Sequence, residues 1–328
     1  MTSIVKPKAL RRGDAIGVVA PAGPVNQERM TQALARVRDR GFLTKTYGDI
    51  YRSRGYLAGD DATRAAELMA AFADPETAAV WCARGGYGVA RILDRIDFDV
   101  IGRNPKVFIG FSDITLLHVA IQQRTGLITF HAPNLQDGFG KPDDMPAANE
   151  AALWRAVLAS SEKPASAASA DHGYGFDFTN VSNLDLRPIC AGVATGRLIG
   201  GNLAVLCGVI GTPFEVETAG RILFLEDISE RAYRIDRYLS QLKLAGKLSA
   251  IAGVLLGTFS YENGEKADAQ SDINALFQEY LEPLGVPVLA GFPAGHERYN
   301  LALPMGALLQ FDSDAGQVTV LEDCVVAT

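Results

Sequence analysis

The sequence predicts an α/β protein in which an N-terminal domain with a parallel sheet precedes a smaller, mixed and β-rich C-terminal domain. Through the first half of the 328 residues, short apolar segments alternate with amphipathic segments, as in parallel strands joined by helices. Residues 159–177 are then rich in Ser, Ala, Gly and Asp, and the later pattern is mixed. We therefore expect a first domain at 1–158, a linker at 159–185 and a second domain at 186–328.

The first half begins with a strand at 15–20, which is short, apolar and ends at Pro21. Asn26 is placed to cap the helix that follows it, through about Arg40. Further strands are predicted at 78–83, 107–110 and 126–130, and further helices at 62–72, 88–95 and 113–124. Ligands of such sheets bind at the carboxyl ends of the strands, so residues 84–88 and Ser112 are candidates for a site.

The second half shows strand and helix signals without regular alternation. Strands are predicted at 192–198, 221–225, 253–257 and 286–290, with a strand pair in 308–321 that turns at 312–316. Helices are predicted at 202–207, 232–245 and 271–280. This mixture predicts the second domain to be mixed α and β.

Composition narrows the functional classes. A formal net charge of −7, with no basic cluster larger than Arg11-Arg12, argues against nucleic acid as a partner. No segment approaches the roughly 18 to 20 apolar residues that a membrane span needs, and no apolar region follows the basic N-terminus as in a signal peptide. The four cysteines are far apart and without CxxC spacing, which favours reduced thiols and the cytoplasm.

The segment 107–118 carries the clearest chemical signal. An apolar strand reaches Gly110, turns at Ser112 and continues at once with helical spacing. Such a turn lifts the serine hydroxyl onto the start of a helix, where the dipole and backbone N–H groups favour negative charge. Ser112 is therefore a candidate nucleophile that needs a base.

The base must be one of four histidines. His118 lies in the helix behind Ser112 and points away from the turn, and His172 lies in the linker. His131 ends the strand 126–130, whereas His296 lies in a loop rich in Gly and Pro at 291–300. The residues alone leave His296 and His131 open.

Glu226 is the candidate carboxylate, because it closes the apolar strand 221–225 and could orient a loop histidine. The alternative is ordinary helix capping by this acidic segment, since Asp227 and Ser229 precede a predicted helix. Both interpretations fit the sequence.

Arg84-Gly85-Gly86-Tyr87-Gly88 follows the strand 78–83. Its glycines allow close backbone approach and could present N–H groups to an oxyanion. A dinucleotide or phosphate loop is disfavoured, because the GxGxxG spacing and a P-loop lysine are missing. Cys82 lies inside the strand, which indicates a core thiol rather than a rival nucleophile.

With these residues the chain resembles the LD-carboxypeptidase family of serine peptidases, which includes the microcin-immunity proteins. The shared motifs are GD at 13–14, VVAP at 18–21, YLAG at 56–59, RGGYG at 84–88, GFSD at 110–113, GGNL at 200–203, GTP at 211–213, LED at 225–227, RYL at 237–239, GH at 295–296 and PMG at 304–306. One departure is His131-Ala132-Pro133, where the family more often has a central glycine.

The resemblance implies a flavodoxin-like or class I amidotransferase-like first domain. It implies Ser112 as nucleophile, His296 as general base and then acid, and Glu226 as its orienting carboxylate, from two domains that flank a groove. It assigns the oxyanion hole to the backbone N–H groups of Gly86 and Asp113. No metal or cofactor is implied.

The implied substrates are murein tetrapeptides that lose a terminal D-alanine during cytoplasmic peptidoglycan recycling, and the implied assembly is a homodimer. Arg84 and Arg298 are candidates to bind the terminal carboxylate. The alternative is microcin-immunity activity on a peptidyl-nucleotide, but neither Trp81 nor Trp154 is plainly placed to stack on a base. A non-catalytic muropeptide-binding module and a nucleotide-binding protein fit less well.

Overall fold

The computed structural model describes residues 3–140, 145–159, 173–260 and 266–327, with only the backbone at 266–271. Residues 160–172 of the predicted linker, which include His172, therefore lie outside the described residues. The chain divides into two compact units. Unit 1 contains residues 1–168, 301–306 and 324–328, and unit 2 contains 169–300 and 307–323. The domain boundaries given above stay a prediction.

The strands and α-helices of the described residues have the following bounds. The strands are β1 (Ala15–Val19), β2 (Leu43–Thr46), β3 (Thr77–Cys82), β4 (Val107–Gly110), β5 (Thr129–His131), β6 (Tyr174–Gly175), β7 (Arg187–Cys190), β8 (Val193–Asn202), β9 (Arg221–Ile228), β10 (Gly253–Ser260), β11 (Val288–Ala290), β12 (Leu303–Met305), β13 (Leu308–Asp312) and β14 (Gln317–Val320). The α-helices are α1 (Gln27–Asp39), α2 (Asp61–Ala73), α3 (Phe98–Arg103), α4 (Thr115–Thr125), α5 (Leu135–Gly138), α6 (Ala147–Val157), α7 (Leu203–Cys207), α8 (Ala232–Leu244) and α9 (Lys266–Leu281).

Unit 1 is built on a six-stranded sheet in the order β12-β5-β4-β3-β1-β2. Strands β1 to β5 are parallel, and β12 adds antiparallel to β5. The order β2-β1-β3-β4-β5 is that of flavodoxin-like folds, in which ligands bind outside the carboxyl ends of the strands. This confirms the predicted α/β class with an N-terminal parallel sheet.

Two helices of unit 1 show why the local sequence folds as it does. Asn26 accepts a hydrogen bond from Arg29 N and so begins α1, as its position predicts. Helix α4 is buried over most of its length and ends at Gly126, which has a φ of +75°. A helix that is buried on nearly all sides is held in place by its neighbours, so α4 fixes the segment directly before it, which contains Ser112.

Unit 2 contains an eight-stranded sheet in the order β6-β14-β13-β8-β9-β10-β11-β7. The central strands β8, β9, β10 and β11 are parallel, and the strands on both sides of them pair antiparallel. The mixed second sheet is the architecture that the sequence predicts for this half.

None of the helices in the described ranges is both long and apolar enough to cross a membrane.

Candidate active-site residues

Ser112 occupies a sharp turn between β4 and α4. Phe111 is fully extended, whereas Ser112 has a φ of +66°, in the left-handed region. A left-handed residue with a side chain costs roughly 1–2 kcal/mol, so the surrounding contacts must hold it. We call residues 110–114 the serine turn. Its strand, strained serine and following helix form the arrangement of a nucleophile elbow.

The glycine loop, residues 84–88, lies directly against the serine turn. A Cβ atom on Gly85 would lie 2.8 Å from Ser112 Cβ and 3.1 Å from its Oγ. Gly86 has a φ of +102° and is exposed. Gly23, in the loop after β1, donates from its N–H to Gly85 O at 2.9 Å. Glycine at position 85 is thus what allows the backbone to approach the hydroxyl.

Asp113 ties the glycine loop to the serine turn from the other side. Its Oδ2 accepts a hydrogen bond from Val89 N at 2.8 Å, and the side chain is 3% exposed. Burial raises the pKa of the Asp113 carboxyl to about 6. Arg64 is buried beside it and donates to Gly88 O at 2.9 Å and to Pro21 O. The positions of the loop backbone are therefore fixed by buried polar contacts.

Two backbone N–H groups remain available at this place. Across the described residues, neither Gly86 N–H nor Asp113 N–H donates a hydrogen bond to another group. They are the two groups that the resemblance assigns to an oxyanion hole. That role stays a prediction.

Glu226 and His296 form a hydrogen-bonded pair within unit 2. Glu226 lies on β9 and is fully buried, and its Oε2 accepts from His296 Nδ1 at 2.7 Å. The imidazole side chain is 13% exposed. The capping alternative is not seen at α8, because the N-cap of that helix is Arg231 and no side chain caps it. Asp227 Oδ2 instead accepts from Ala204 N at 2.9 Å, in the first turn of α7.

Gly295 leaves room for the Glu226–His296 pair. The histidine loop, residues 291–300, is anchored to β10 because Thr258 N donates to Ala294 O at 2.9 Å. Gly295 has a φ of +139°, and a Cβ there would lie 2.4 Å from Thr258 Oγ1 and 3.1 Å from Glu226 Oε2. Asn300 Oδ1 accepts from Gly295 N at 3.2 Å and holds the loop at its other end.

The other described histidines lie in the core of unit 1. His118 is buried between Thr129 Oγ1 and Gly110 O, each 2.8 Å from a ring nitrogen, and burial lowers its pKa to about 4. His131 is fully buried on β5, with its ring edge-on to Phe111 at 5.8 Å. These positions favour structural roles for both side chains.

The two candidate carboxylate-binding residues, Arg84 and Arg298, lie in the glycine loop and in the histidine loop. Arg84 donates from Nη1 to Pro24 O at 2.6 Å, which links the loops after β1 and β3. Arg298 is exposed, with its guanidinium 6.0 Å from the centre of the Tyr299 ring. Cys82 is buried inside β3, and burial raises the pKa of its thiol. A carboxylate-binding role for either arginine stays a prediction.

Asn134 is the residue that the sequence analysis missed. It is fully buried three residues after the end of β5, and its carboxamide contacts the backbone of Phe111. A polar residue in the short segment after the carboxyl end of a parallel strand, on the edge that holds Ser112, is the signal that could have identified it.

Comparisons with known proteins agree with the motifs. The model of the LD-carboxypeptidase N-terminal domain matches residues 16–132, and that of the C-terminal domain matches residues 195–311. A probable murein peptide carboxypeptidase of Bacillus subtilis is 40% identical over 303 residues, which cover 92% of this chain and 90% of that protein.

Two further proteins are similar over nearly the whole chain. The microcin C7 self-immunity protein of Escherichia coli is 29% identical over 325 residues, covering 94% of this chain and 94% of that protein. The crystal structure of a muramoyltetrapeptide carboxypeptidase from Oxalobacter formigenes has a TM-score of 0.76 and 29% identity, and covers 95% of this chain and 100% of that chain. Because the models of both domains of the family match, the chain belongs to the LD-carboxypeptidase family and is a serine-type carboxypeptidase.

Proposed function

We propose that this carboxypeptidase removes the terminal D-alanine of murein tetrapeptides, with Ser112, His296 and Glu226 as its catalytic triad. The observation that carries the proposal is the 2.7 Å hydrogen bond from His296 Nδ1 to the buried Glu226. A carboxylate on Nδ1 fixes the tautomer in which Nε2 can accept a proton, as a serine nucleophile requires. The names of the Bacillus and Oxalobacter relatives support the substrate class.

In the proposed reaction, Ser112 Oγ attacks the carbonyl carbon of the residue before the terminal D-alanine. The serine proton passes to His296 Nε2, which later gives it to the nitrogen of the leaving D-alanine as the C–N bond breaks. Water then attacks the acyl-enzyme ester with His296 again as base, and Ser112 regains its proton. Glu226 stays ionised and stabilises the imidazolium in both steps.

The tetrahedral oxyanion is assigned to the N–H groups of Gly86 and Asp113. Support comes from Gly85, whose backbone lies against Ser112. Each donor of this kind is typically worth roughly 3 kcal/mol of activation free energy, because it is aimed in advance at the developing charge. The terminal carboxylate of the substrate is assigned to Arg84 or Arg298. We also propose a cytoplasmic location. We further propose that the protein is a homodimer, and light scattering tests this by measuring its molar mass.

The test is the release of free D-alanine from a murein tetrapeptide by the wild-type protein and by three variants. Ser112→Ala and His296→Ala are expected to abolish release while the far-UV circular dichroism is unchanged. His131→Ala is expected to retain measurable turnover, since the proposal gives it no chemical role. A tetrapeptide that ends in L-alanine is the matched substrate control.

Three outcomes would contradict the proposal. Wild-type protein that is folded but releases no D-alanine would remove the substrate assignment. Substantial turnover by Ser112→Ala would remove the nucleophile. Equal inactivation by His131→Ala and His296→Ala would reopen the choice of base.

A second candidate function is hydrolysis of a peptidyl-nucleotide of the microcin type. It is favoured by two exposed aromatic rings, Tyr56 and Tyr87, which contact edge to face at 5.6 Å and are 64% and 51% exposed. Tyr87 belongs to the glycine loop, so a base could stack there beside the serine turn. Trp81 and Trp154 are both buried and offer no such surface.

An aminoacyl conjugate of a nucleoside distinguishes the two functions. The second candidate predicts that kcat/KM for the conjugate exceeds that for the tetrapeptide and falls in Tyr87→Ala. Tyr51→Ala is the matched control, because that exposed tyrosine lies outside the glycine loop. Preference for the tetrapeptide, with no effect of Tyr87→Ala on the conjugate, supports the first function.

A further inference from the structure

Asn134 is a buried carboxamide that pairs with the peptide backbone directly before the proposed nucleophile. Its Oδ1 accepts from Phe111 N at 3.2 Å, and its Nδ2 lies 3.4 Å from Phe111 O. The side chain is fully buried. Both backbone polar groups of one residue, Phe111, are thereby paired by a single side chain, as a neighbouring strand would pair them.

Two glycines make room for this carboxamide. A Cβ on Gly110 would lie 3.1 Å from Asn134 Oδ1, and a Cβ on Gly85 would lie 3.2 Å from Asn134 Nδ2. The same Cβ on Gly85 would lie 3.1 Å from Ser112 Oγ. The amide, the glycine loop and the serine hydroxyl therefore meet at one place.

The backbone around Asn134 is itself anchored to neighbouring strands. Ala132 N donates to Gly110 O at 3.1 Å, and Gln136 N donates to Ala83 O at 3.0 Å. The indole of Trp81 donates to Pro133 O at 3.0 Å. These hydrogen bonds fix the backbone that carries Asn134. Its side chain can therefore hold the residue that it contacts in a fixed position.

We propose that Asn134 is a positioning residue, whose carboxamide holds Phe111 extended and thereby fixes the left-handed turn that presents the Ser112 hydroxyl. The proposal rests on Ser112 being the nucleophile. It accounts for how a φ of +66° is maintained at a residue with a side chain. Asn134 does not touch the reacting atoms in this assignment, and it acts through Phe111.

Asn134→Leu removes both hydrogen-bonding groups at similar volume. The matched control is Asn104→Leu, because Asn104 also donates from Nδ2 to a backbone carbonyl, that of Val100, at 2.9 Å. Asn104 follows α3, just before the amino end of β4, whereas the serine turn follows the carboxyl end of β4. The two variants thus make the same chemical change at opposite ends of one strand.

The first readout is the rate at which a fluorophosphonate modifies Ser112, together with kcat and KM for the tetrapeptide. Misplacing a reacting group by about 1 Å can cost about 10²-fold. We expect Asn134→Leu to lower the labelling rate and kcat by about that factor with little change in KM, and Asn104→Leu to change neither. Rates are compared per folded molecule, from urea unfolding of each variant.

The second readout does not depend on activity. Amide hydrogen exchange at Phe111 is expected to be slow in the wild-type protein and faster in Asn134→Leu, since its acceptor is removed. Faster exchange with an unchanged labelling rate would overturn the proposal, because the contact would then be structural only. Unchanged exchange would overturn it as well.

Asn134→Asp supplies a rescue experiment. A protonated carboxyl has the same donor and acceptor as the amide, whereas the ionised form lacks the donor toward Phe111 O. The ratio of its labelling rate to that of the wild-type protein is therefore expected to rise as the pH falls. A ratio independent of pH would contradict the pairing. Failure of the nucleophile assignment is distinguishable from failure of this proposal, because the wild-type protein would then not be labelled at Ser112.

Discussion

Gly85 lies so close to Ser112 that a methyl group on its Cα would be 2.8 Å from the serine Cβ. Carbon atoms that are not bonded to each other do not approach within about 3 Å. A side chain at position 85 would therefore force one of the two backbones to move. The space beside the hydroxyl is thus defined by the absence of a side chain.

Gly85→Ala is therefore expected to reduce the fluorophosphonate labelling of Ser112 by at least about tenfold, by displacing the serine turn. The control is Gly102→Ala in α3, where the new Cβ would make an ordinary contact of 3.7 Å with Thr125 Cγ2. Labelling rates are compared by intact-protein mass spectrometry. Equal labelling rates in Gly85→Ala and wild-type protein would contradict the prediction, because a Cβ at position 85 would then not displace the serine turn.

Replacing Ser112 with glycine is expected to stabilise the protein relative to Ser112→Ala. Alanine at a φ of +66° retains the steric penalty of a Cβ, while glycine has none, which predicts a difference of about 1 kcal/mol in the free energy of unfolding. Urea unfolding measures it. Ser229, with a φ of +59°, is the matched control, and Ser229→Gly is expected to give a similar gain over Ser229→Ala while activity is kept. A gain at Ser229 alone would show that the serine turn relaxes when the hydroxyl is lost.

His296→Ala is expected to destabilise the protein by about 3 kcal/mol, because it leaves the fully buried Glu226 without its partner. Adding Glu226→Gln to that variant removes the buried charge and is expected to restore much of the stability. Urea unfolding of both variants gives the comparison. If the double variant were less stable than His296→Ala, Glu226 would not carry an uncompensated charge.

The raised pKa of the Asp113 carboxyl is expected to make the stability of the protein depend on pH. Its pKa is raised from 3.8 to about 6, so the folded state binds the proton more tightly than the unfolded state does. This favourable contribution is complete below pH 3.8 and is lost as the pH rises through about 6, a change of about 3 kcal/mol. Asp113→Asn should therefore gain stability relative to the wild-type protein between pH 4 and 7.

Asp61→Asn is the control for that measurement. Arg91 and Arg64 hold the pKa of Asp61 at about 2, so the stability that Asp61 contributes is lost only as the pH falls through that value. The difference between Asp61→Asn and wild-type protein should change little above pH 5. If the stability of Asp113→Asn and that of the wild-type protein had the same pH profile, this would contradict a raised pKa of the buried Asp113 carboxyl.

The parts of the fold that depend on local pattern were readable from the sequence. Strand β4, the serine turn and α4 follow one another without a break, so their apolar and helical spacing sufficed. Strand β2 has exposed and half-buried positions without regular alternation, because it lies at the sheet edge, and it was not predicted. The predicted helix at 271–280 begins earlier, at Lys266.

Features that depend on distant residues were not readable in the same way. Glu226 and His296 are 70 positions apart, and composition alone left His131 as a rival base. Asn134 acts on the backbone of Phe111, which leaves no motif in the sequence. Strand β12 pairs with β5 although Leu303 and His131 are far apart in the chain, and its three residues give no periodic signal.

Unit 1 is assembled from three separate pieces of the chain, and this has a consequence for biosynthesis. Residues 301–306 and 324–328 are translated only after the whole of 169–300. Until then β5 has an open edge where β12 will pair, and Ala9 N lacks the carbonyl of Val326, its acceptor at 2.9 Å. The polypeptide that carries the serine therefore has an unpaired sheet edge until β12 is synthesised, and such an edge favours pairing with other chains.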